Sequence, residues 1–149
     1  MFEKILIVCV GNICRSPMAE ALMRNGLSEA GNTETIVQSA GVSALVGQHT
    51  DDKAKTLLLE KGIDVSRHVA RQLNQSLVNW ADLVLVMERS QLDEIQHQHP
   101  TARGKVFLLG HWSETEIRDP YMQDFSAFQT AFEQIEQAVQ EWSAKIVNS

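Results

Sequence analysis

The feature that most constrains this chain is a change of pattern at residue 9. An unbroken apolar run, Ile5-Leu-Ile-Val8, gives way to Cys9-Val-Gly-Asn-Ile-Cys-Arg-Ser16 and then to Pro17 and a helix-like stretch. A short, continuous apolar run of β-favouring residues suits a strand buried on both faces, which places residues 4–9 inside a sheet. Ser16 can cap the following helix, and Pro17 at its first position needs no N–H donor. Ala19, Ala21, Leu22, Met23 and Leu27 carry that helix to about Gly31. The chain therefore opens as strand, tight loop and helix.

The same alternation recurs downstream. A second strand fits residues 35–40 and ends at Gly41, and residues 42–50 have no period and read as a loop. Asp51-Asp52 starts a helix through Leu57, Leu58 and Leu59 to Gly62, and a short helix covers residues 74–80. Residues 82–87 form a third buried strand, followed by a helix over about 90–97 and a fourth strand at 105–109. Residues 110–122 are irregular. A last helix runs from about Ser126 to Ile146, with Phe128, Phe132, Ile135, Val139 and Trp142 on one stripe. Strands alternating with helices predict an α/β three-layer sandwich: a four-stranded, mostly parallel sheet with helices on both faces. The Cys9–Ser16 motif, with cysteine and arginine flanking a glycine at a strand-to-helix turn, reads as a phosphate-binding loop after the first strand. At 149 residues and 44% hydrophobic, the chain suits one domain over residues 1–149. Ligands in such sheets bind beyond the carboxyl ends of the strands, where Cys9 falls.

Composition narrows the chemistry. The N-terminal apolar stretch is too short to span a membrane and lacks the flanks of a signal peptide, which predicts a cytoplasmic protein without membrane insertion. Net charge is −6, and no basic run interleaves with aromatics, so nucleic-acid binding is disfavoured. Both cysteines, Cys9 and Cys14, lie inside the eight-residue motif. That is thiol chemistry in a reducing compartment rather than a disulfide framework. His49, His68, His97, His99 and His111 form no zinc-like spacing, and no metal or organic cofactor is expected.

Cysteine and arginine six positions apart, with glycine between them at a strand-to-helix turn, can build an anion cradle that carries its own nucleophile. Cys9 would sit at the floor; a helix N-terminus and a nearby cation make a thiol more acidic. Alone, Cys9 would read as an ordinary buried cysteine. Arg15 offers a planar fork that matches phosphate oxygens bidentately. Gly11 and Asn12 tolerate left-handed backbone geometry and suit a tight loop. Ser16 can cap the helix, donate to the Cys9 thiolate, or do both. Asp119, in Arg118-Asp-Pro-Tyr121, can supply a proton to a leaving group, with Pro120 restricting its backbone, although an Asp-Pro pair alone is most often a turn.

These residues resemble those of the low-molecular-weight protein tyrosine phosphatases, over essentially the whole chain. Cys9-Val-Gly-Asn-Ile-Cys-Arg-Ser-Pro-Met-Ala-Glu20 is similar to that family's signature loop, and Ser39-Ala-Gly41, His68-Val-Ala-Arg-Gln72 and Asp119-Pro-Tyr121 match its later blocks in order. The resemblance implies Cys9 as nucleophile, Arg15 as phosphate clamp and Asp119 as general acid. It further implies that Val10, Gly11, Asn12, Ile13, Cys14 and Ser16 surround the phosphate, that Ser39 and His68 brace the loop with Asn12, and that Leu45 and Tyr121 wall the cleft. Read without the family, His68 is a structural histidine. Cys14 matches a loop cysteine that can form a disulfide with the nucleophile, while packing under the loop is equally compatible. Tyr121-Met122 stands where many eukaryotic members carry an aromatic pair, which puts ring specificity in question. Leu45 and Lys105-Val-Phe-Leu-Leu-Gly-His-Trp112 resemble the bacterial branch linked to capsule and exopolysaccharide production. That implies a phosphotyrosine protein as partner, a membrane-anchored bacterial tyrosine autokinase. Two other functions compete: a thiol-dependent arsenate reductase of related fold, which relies on downstream cysteines absent after Cys14, and a non-catalytic phosphotyrosine-binding module.

Overall fold

Four strands form one sheet in the order β2-β1-β3-β4, every neighbouring pair parallel. They are β1 (Lys4–Cys9), β2 (Ile36–Gly41), β3 (Leu83–Val86) and β4 (Val106–Leu108) in a computed structural model that describes residues 2–149. The helices are α1 (Arg15–Glu29), α2 (Asp52–Glu60), α3 (Gln75–Trp80), α4 (Arg89–Gln98) and α5 (Phe125–Val147). Single 3-10 turns at Pro100–Ala102 and His111–Ser113 complete the element list.

The apolar run at 5–8 is explained by the position of β1 in the middle of the sheet. With a side-chain period of two, Ile5 and Ile7 enter one core and Leu6 and Val8 the other. The first core lies under α1, α2 and α5, where the expected stripe Phe128, Phe132, Ile135, Val139 and Trp142 is buried. The second gathers Val78 of α3, Ile95 of α4, and Val84, Val86, Val106 and Leu108 of the sheet. Helices thus cover both faces, and every crossover returns to a parallel strand.

The strands and helices fall where the sequence pattern puts them, with ends shifted by a residue or two. One local expectation fails. Helix α1 begins at Arg15 with Cys14 at its cap position, and no side chain caps it. Ser16 lies inside the first turn, so its hydroxyl is free for another partner. Pro17 sits at the third helical position, where its missing N–H is still one that the helix cannot use. Residues 110–122 contain the 3-10 turn and a Gly110–Thr115 bridge. The side chain that the sequence lacks at Gly110 explains the bridge, because a Cβ there would lie 2.1 Å from the Thr115 carbonyl oxygen.

Among the described residues, no helix is long and apolar enough to cross a membrane.

Candidate active site

The loop between β1 and α1 holds its shape because its carbonyls are tied outward one after another. The Cys9 oxygen accepts from Val42 N–H (2.9 Å), Val10 from Ser43 (3.0 Å), Gly11 from Leu45 (3.0 Å) and Ile13 from Asp51 (2.8 Å). The Asn12 oxygen lies 2.8 Å from His68 Nε2, which must be the donor because a carbonyl only accepts. In a trans peptide the next N–H points opposite to the carbonyl. Outward carbonyls at residues 10–13 therefore turn the amides of residues 11–14 inward. The Asn12 N–H shows it, pointing at Cys9 Sγ from 3.3 Å. Such a ring of amides at a helix N-terminus is an anion cradle.

Close approach by β2 makes this bracing possible. A Cβ on Gly41 would stand 2.3 Å from the Val10 carbonyl oxygen and 3.1 Å from Asn12 N. Glycine is obligatory there. Of the two loop residues expected to tolerate left-handed backbone, only Asn12 uses it, with φ of 59°.

The proton directions around Cys9 follow from donor counting. Asn12 Oδ1 accepts from Arg71 N–H at 3.0 Å, which fixes the amide orientation. Asn12 Nδ2 then donates one hydrogen to Ser16 Oγ (2.7 Å) and one to Ser39 Oγ (3.0 Å). The Ser39 hydroxyl passes its own hydrogen to Glu20. The Ser16 hydroxyl, already an acceptor, has Cys9 Sγ at 2.9 Å as the partner for its hydrogen. Of the two roles expected for Ser16, the structure shows the contact to Cys9 and not the cap.

Arg15 is 1% exposed, an unusual burial for a cation. Its Nη1 donates to Glu88 Oε1 at 2.6 Å and to the Ile117 carbonyl at 2.7 Å. Nη2 lies 3.6 Å from Asp119 Oδ2 and has no hydrogen-bond partner among the described residues. One edge of the guanidinium is thus held by protein while the other keeps donors in reserve. Glu88 was missed in the sequence. It stands two residues beyond β3, at the carboxyl end of the strand beside β1, and the Gln91 side chain accepts the Glu88 N–H at 3.2 Å.

A cavity of about 100 Å³ lies above Cys9, lined by Val10, Gly11, Ile13, Cys14, Ser43, Leu45, Asp119 and Tyr121. Apart from the cysteines and Gly11, its walls are largely aliphatic or aromatic, with Asp119 and Ser43 as the polar side chains. Asp119 Oδ1 accepts from Tyr121 N–H at 3.1 Å. The structure thus gathers Cys9, Asp119, Leu45 and Tyr121 at one mouth, with Arg15 buried beside Asp119 and with Asn12, Ser39 and His68 behind the loop. Cys14 is buried, and loss of hydration, with the Asp51 carboxylate next in weight, pushes its thiol pKa far up. Among the described residues, no three His, Cys, Asp or Glu side chains cluster as a metal site.

The family model for low molecular weight phosphotyrosine protein phosphatases matches residues 4–149. The chain belongs to that family. A relative from Ralstonia nicotianae, "Probable low molecular weight protein-tyrosine-phosphatase EpsP", is 46% identical, with 98% of this chain and 97% of that one covered. A crystal structure of the tyrosine phosphatase Wzb from Escherichia coli K30 with sulphate superposes with a TM-score of 0.91 at 39% identity, covering 98% of this chain and 99% of Wzb. The YwlE arginine phosphatase from Geobacillus stearothermophilus is also similar, with a TM-score of 0.87 at 34% identity over 96% and 92% of the two chains. Structures similar to this chain are thus named for two phosphoamino-acid chemistries, tyrosine and arginine.

Proposed function

We propose that this family member hydrolyses phosphotyrosine in proteins, with Cys9 as nucleophile, Arg15 as clamp and Asp119 as general acid and then base. The observation that carries it is the amide ring around Cys9, with the Asp119 carboxylate at its mouth and Arg15 buried 3.6 Å from that carboxylate. A phosphate dianion seated in the ring meets inward amides and the Nη2 donors of Arg15. Cys9 Sγ attacks phosphorus in line, forming the S–P bond as the P–O bond to the ring breaks. Asp119 gives its proton to the leaving phenolate. Asp119, now a carboxylate, takes a proton from water as the water oxygen attacks phosphorus. The S–P bond breaks, inorganic phosphate leaves, and the Ser16 hydroxyl hydrogen steadies the departing Cys9 thiolate.

Residue type at the mouth supports an aryl substrate. Ile13, Leu45 and Tyr121 present apolar surface to the group that carries the phosphate, which suits a phenyl ring better than a charged guanidinium. The likeness to YwlE makes phosphoarginine the competing substrate, and a panel of phosphotyrosyl, phosphoseryl and phosphoarginyl peptides separates them. Phosphotyrosine is expected to be turned over at least tenfold faster than the others in kcat/KM, on the scale of one or two misplaced polar contacts. Preference for phosphoarginine overturns the reading. Cys9→Ser abolishes turnover while vanadate binding persists, and hydrolysis retained in that variant removes Cys9 from the role.

The EpsP and Wzb relatives and the bacterial-branch sequence blocks support a finer proposal. The substrate is the tyrosine-rich segment of a membrane-anchored autokinase acting in exopolysaccharide or capsule production, met in the cytoplasm. Trapping from lysate with Cys9→Ser tests it: recovery of such a kinase supports the proposal, and recovery of unrelated phosphoproteins alone counts against it.

A further inference from the structure

The chain that leads into α2, with its first turn, touches both halves of the site. The Asp51 N–H donates to the Ile13 carbonyl at 2.8 Å, inside the phosphate loop. Two residues on, Lys53 Nζ donates to the Gln123 carbonyl at 2.8 Å, on the segment that carries Asp119. The Asp51 side chain accepts the Lys53 N–H at 2.9 Å, so both contacts issue from one capped turn. From Gln123 the connection runs on to the acid. Its Nε2 donates to the Asp119 carbonyl at 3.1 Å, and its N–H to the Pro120 carbonyl at 2.9 Å. Lys53 Nζ also lies 5.4 Å from the centroid of the Phe128 ring, near the start of α5.

The segment needs such a fastening. Tyr121, Met122, Gln123 and Asp124 are all exposed, and Met122 holds a left-handed φ of 63° that a methionine rarely adopts. Burial there rests on Pro120 and on Phe128 further along. We propose that Lys53 is a positioning residue. Acting through Gln123, it sets the height of Asp119 above Cys9, and because the same turn grips Ile13, it sets that height relative to the phosphate loop. The proposal rests on the assignment of Asp119 as general acid.

Proton delivery is steeply sensitive to placement, and a shift of about 1 Å can cost about 100-fold. A displaced acid matters most where the leaving group most needs the proton. The test compares phenyl phosphate, a poor leaving group, with p-nitrophenyl phosphate, a good one, in kcat/KM. Parent, Lys53→Met, Lys53→Arg and Asp119→Ala are measured side by side. Lys53→Met keeps the apolar stem and removes the donor. Its loss on phenyl phosphate is expected to exceed its loss on p-nitrophenyl phosphate by about tenfold, a fraction of the full worth of a general acid. Lys53→Arg, which can still donate to the Gln123 carbonyl, is expected to show a smaller skew. A skew in Asp119→Ala with an equal loss, or none, on both substrates in Lys53→Met overturns the role of Lys53 and leaves the acid assignment standing. No skew in Asp119→Ala removes the acid assignment, and the proposal with it.

Discussion

At the scale of single residues, Gly41 and Cys14 have the clearest consequences. Gly41→Ala would bring a methyl group to 2.3 Å from the Val10 oxygen, closer than real Cβ contacts come. The loop must shift, misaligning its amides. We expect a loss of at least about 100-fold in kcat/KM, as for removal of one preorganised donor, with the far-ultraviolet circular dichroism preserved. An active Gly41→Ala enzyme would show that this close approach is dispensable. Cys14 gives a pH signature. Unfolded, its thiol titrates near its ordinary value of 9.0; folded, burial keeps the proton on well beyond that. Above about pH 9 the native chain therefore holds one more proton than the unfolded chain at this group, and stability falls as pH rises. The contribution is fully present below that pH and declines by about 1.4 kcal/mol per pH unit above it. Urea melts between pH 7 and 10 are expected to show a steeper decline for the parent than for Cys14→Ala, and parallel curves would contradict the assignment.

At the scale of elements, the packing of α1 on α5 is open to a stabilising change. Gly26 lies inside α1 with ordinary helical φ, and a Cβ there would meet only Ser143 Oγ, at 3.5 Å. Gly26→Ala is therefore expected to raise stability by about 0.5–1 kcal/mol, from helix propensity and reduced unfolded-state freedom, with activity unchanged. Calorimetry checks the sign, and a lower Tm would reveal a clash across the helix pair.

The elements themselves were legible because each buried strand is a continuous apolar run and α5 carries a 3.6-residue stripe. The end of α1 nearest the site was less so. Ser16-Pro17 imitates a helix cap, but the outward tying of residues 9–13 carries the helix back to Arg15 and turns Ser16 toward Cys9. Glu88 and Lys53 were invisible for a different reason. Each acts across a long sequence gap, Glu88 on Arg15 and Lys53 on Gln123. In the sequence each reads as a charged residue opening a helix. Their function comes from the sheet order, which sets β3 beside β1, and from α2 lying against the head of α5.

At the scale of the whole molecule, the sheet brings four separate segments to the carboxyl edge of its strands. These are the loop after β1, the end of β2 with residues 42–51, the residues after β3, and the segment at 117–123. The first supplies Cys9 and the amide ring. The second supplies Leu45 and the outward ties, the third supplies Glu88, and the fourth supplies Asp119 and Tyr121. The first three follow their own strands and the fourth follows β4 through residues 109–116, and the parallel order makes them converge. By this geometry the converged segments perform a two-step transfer through Cys9. That transfer is tested most directly by rapid acid quench of Asp119→Ala mixed with p-nitrophenyl phosphate, whose good leaving group departs without an acid, followed by intact and peptide-level mass analysis. With the base for the second step removed, a phosphoryl group is expected trapped on Cys9, and none in the Cys9→Ala, Asp119→Ala double variant, which has no nucleophile at position 9. Release of p-nitrophenol with no phosphoryl adduct on Cys9 would contradict it.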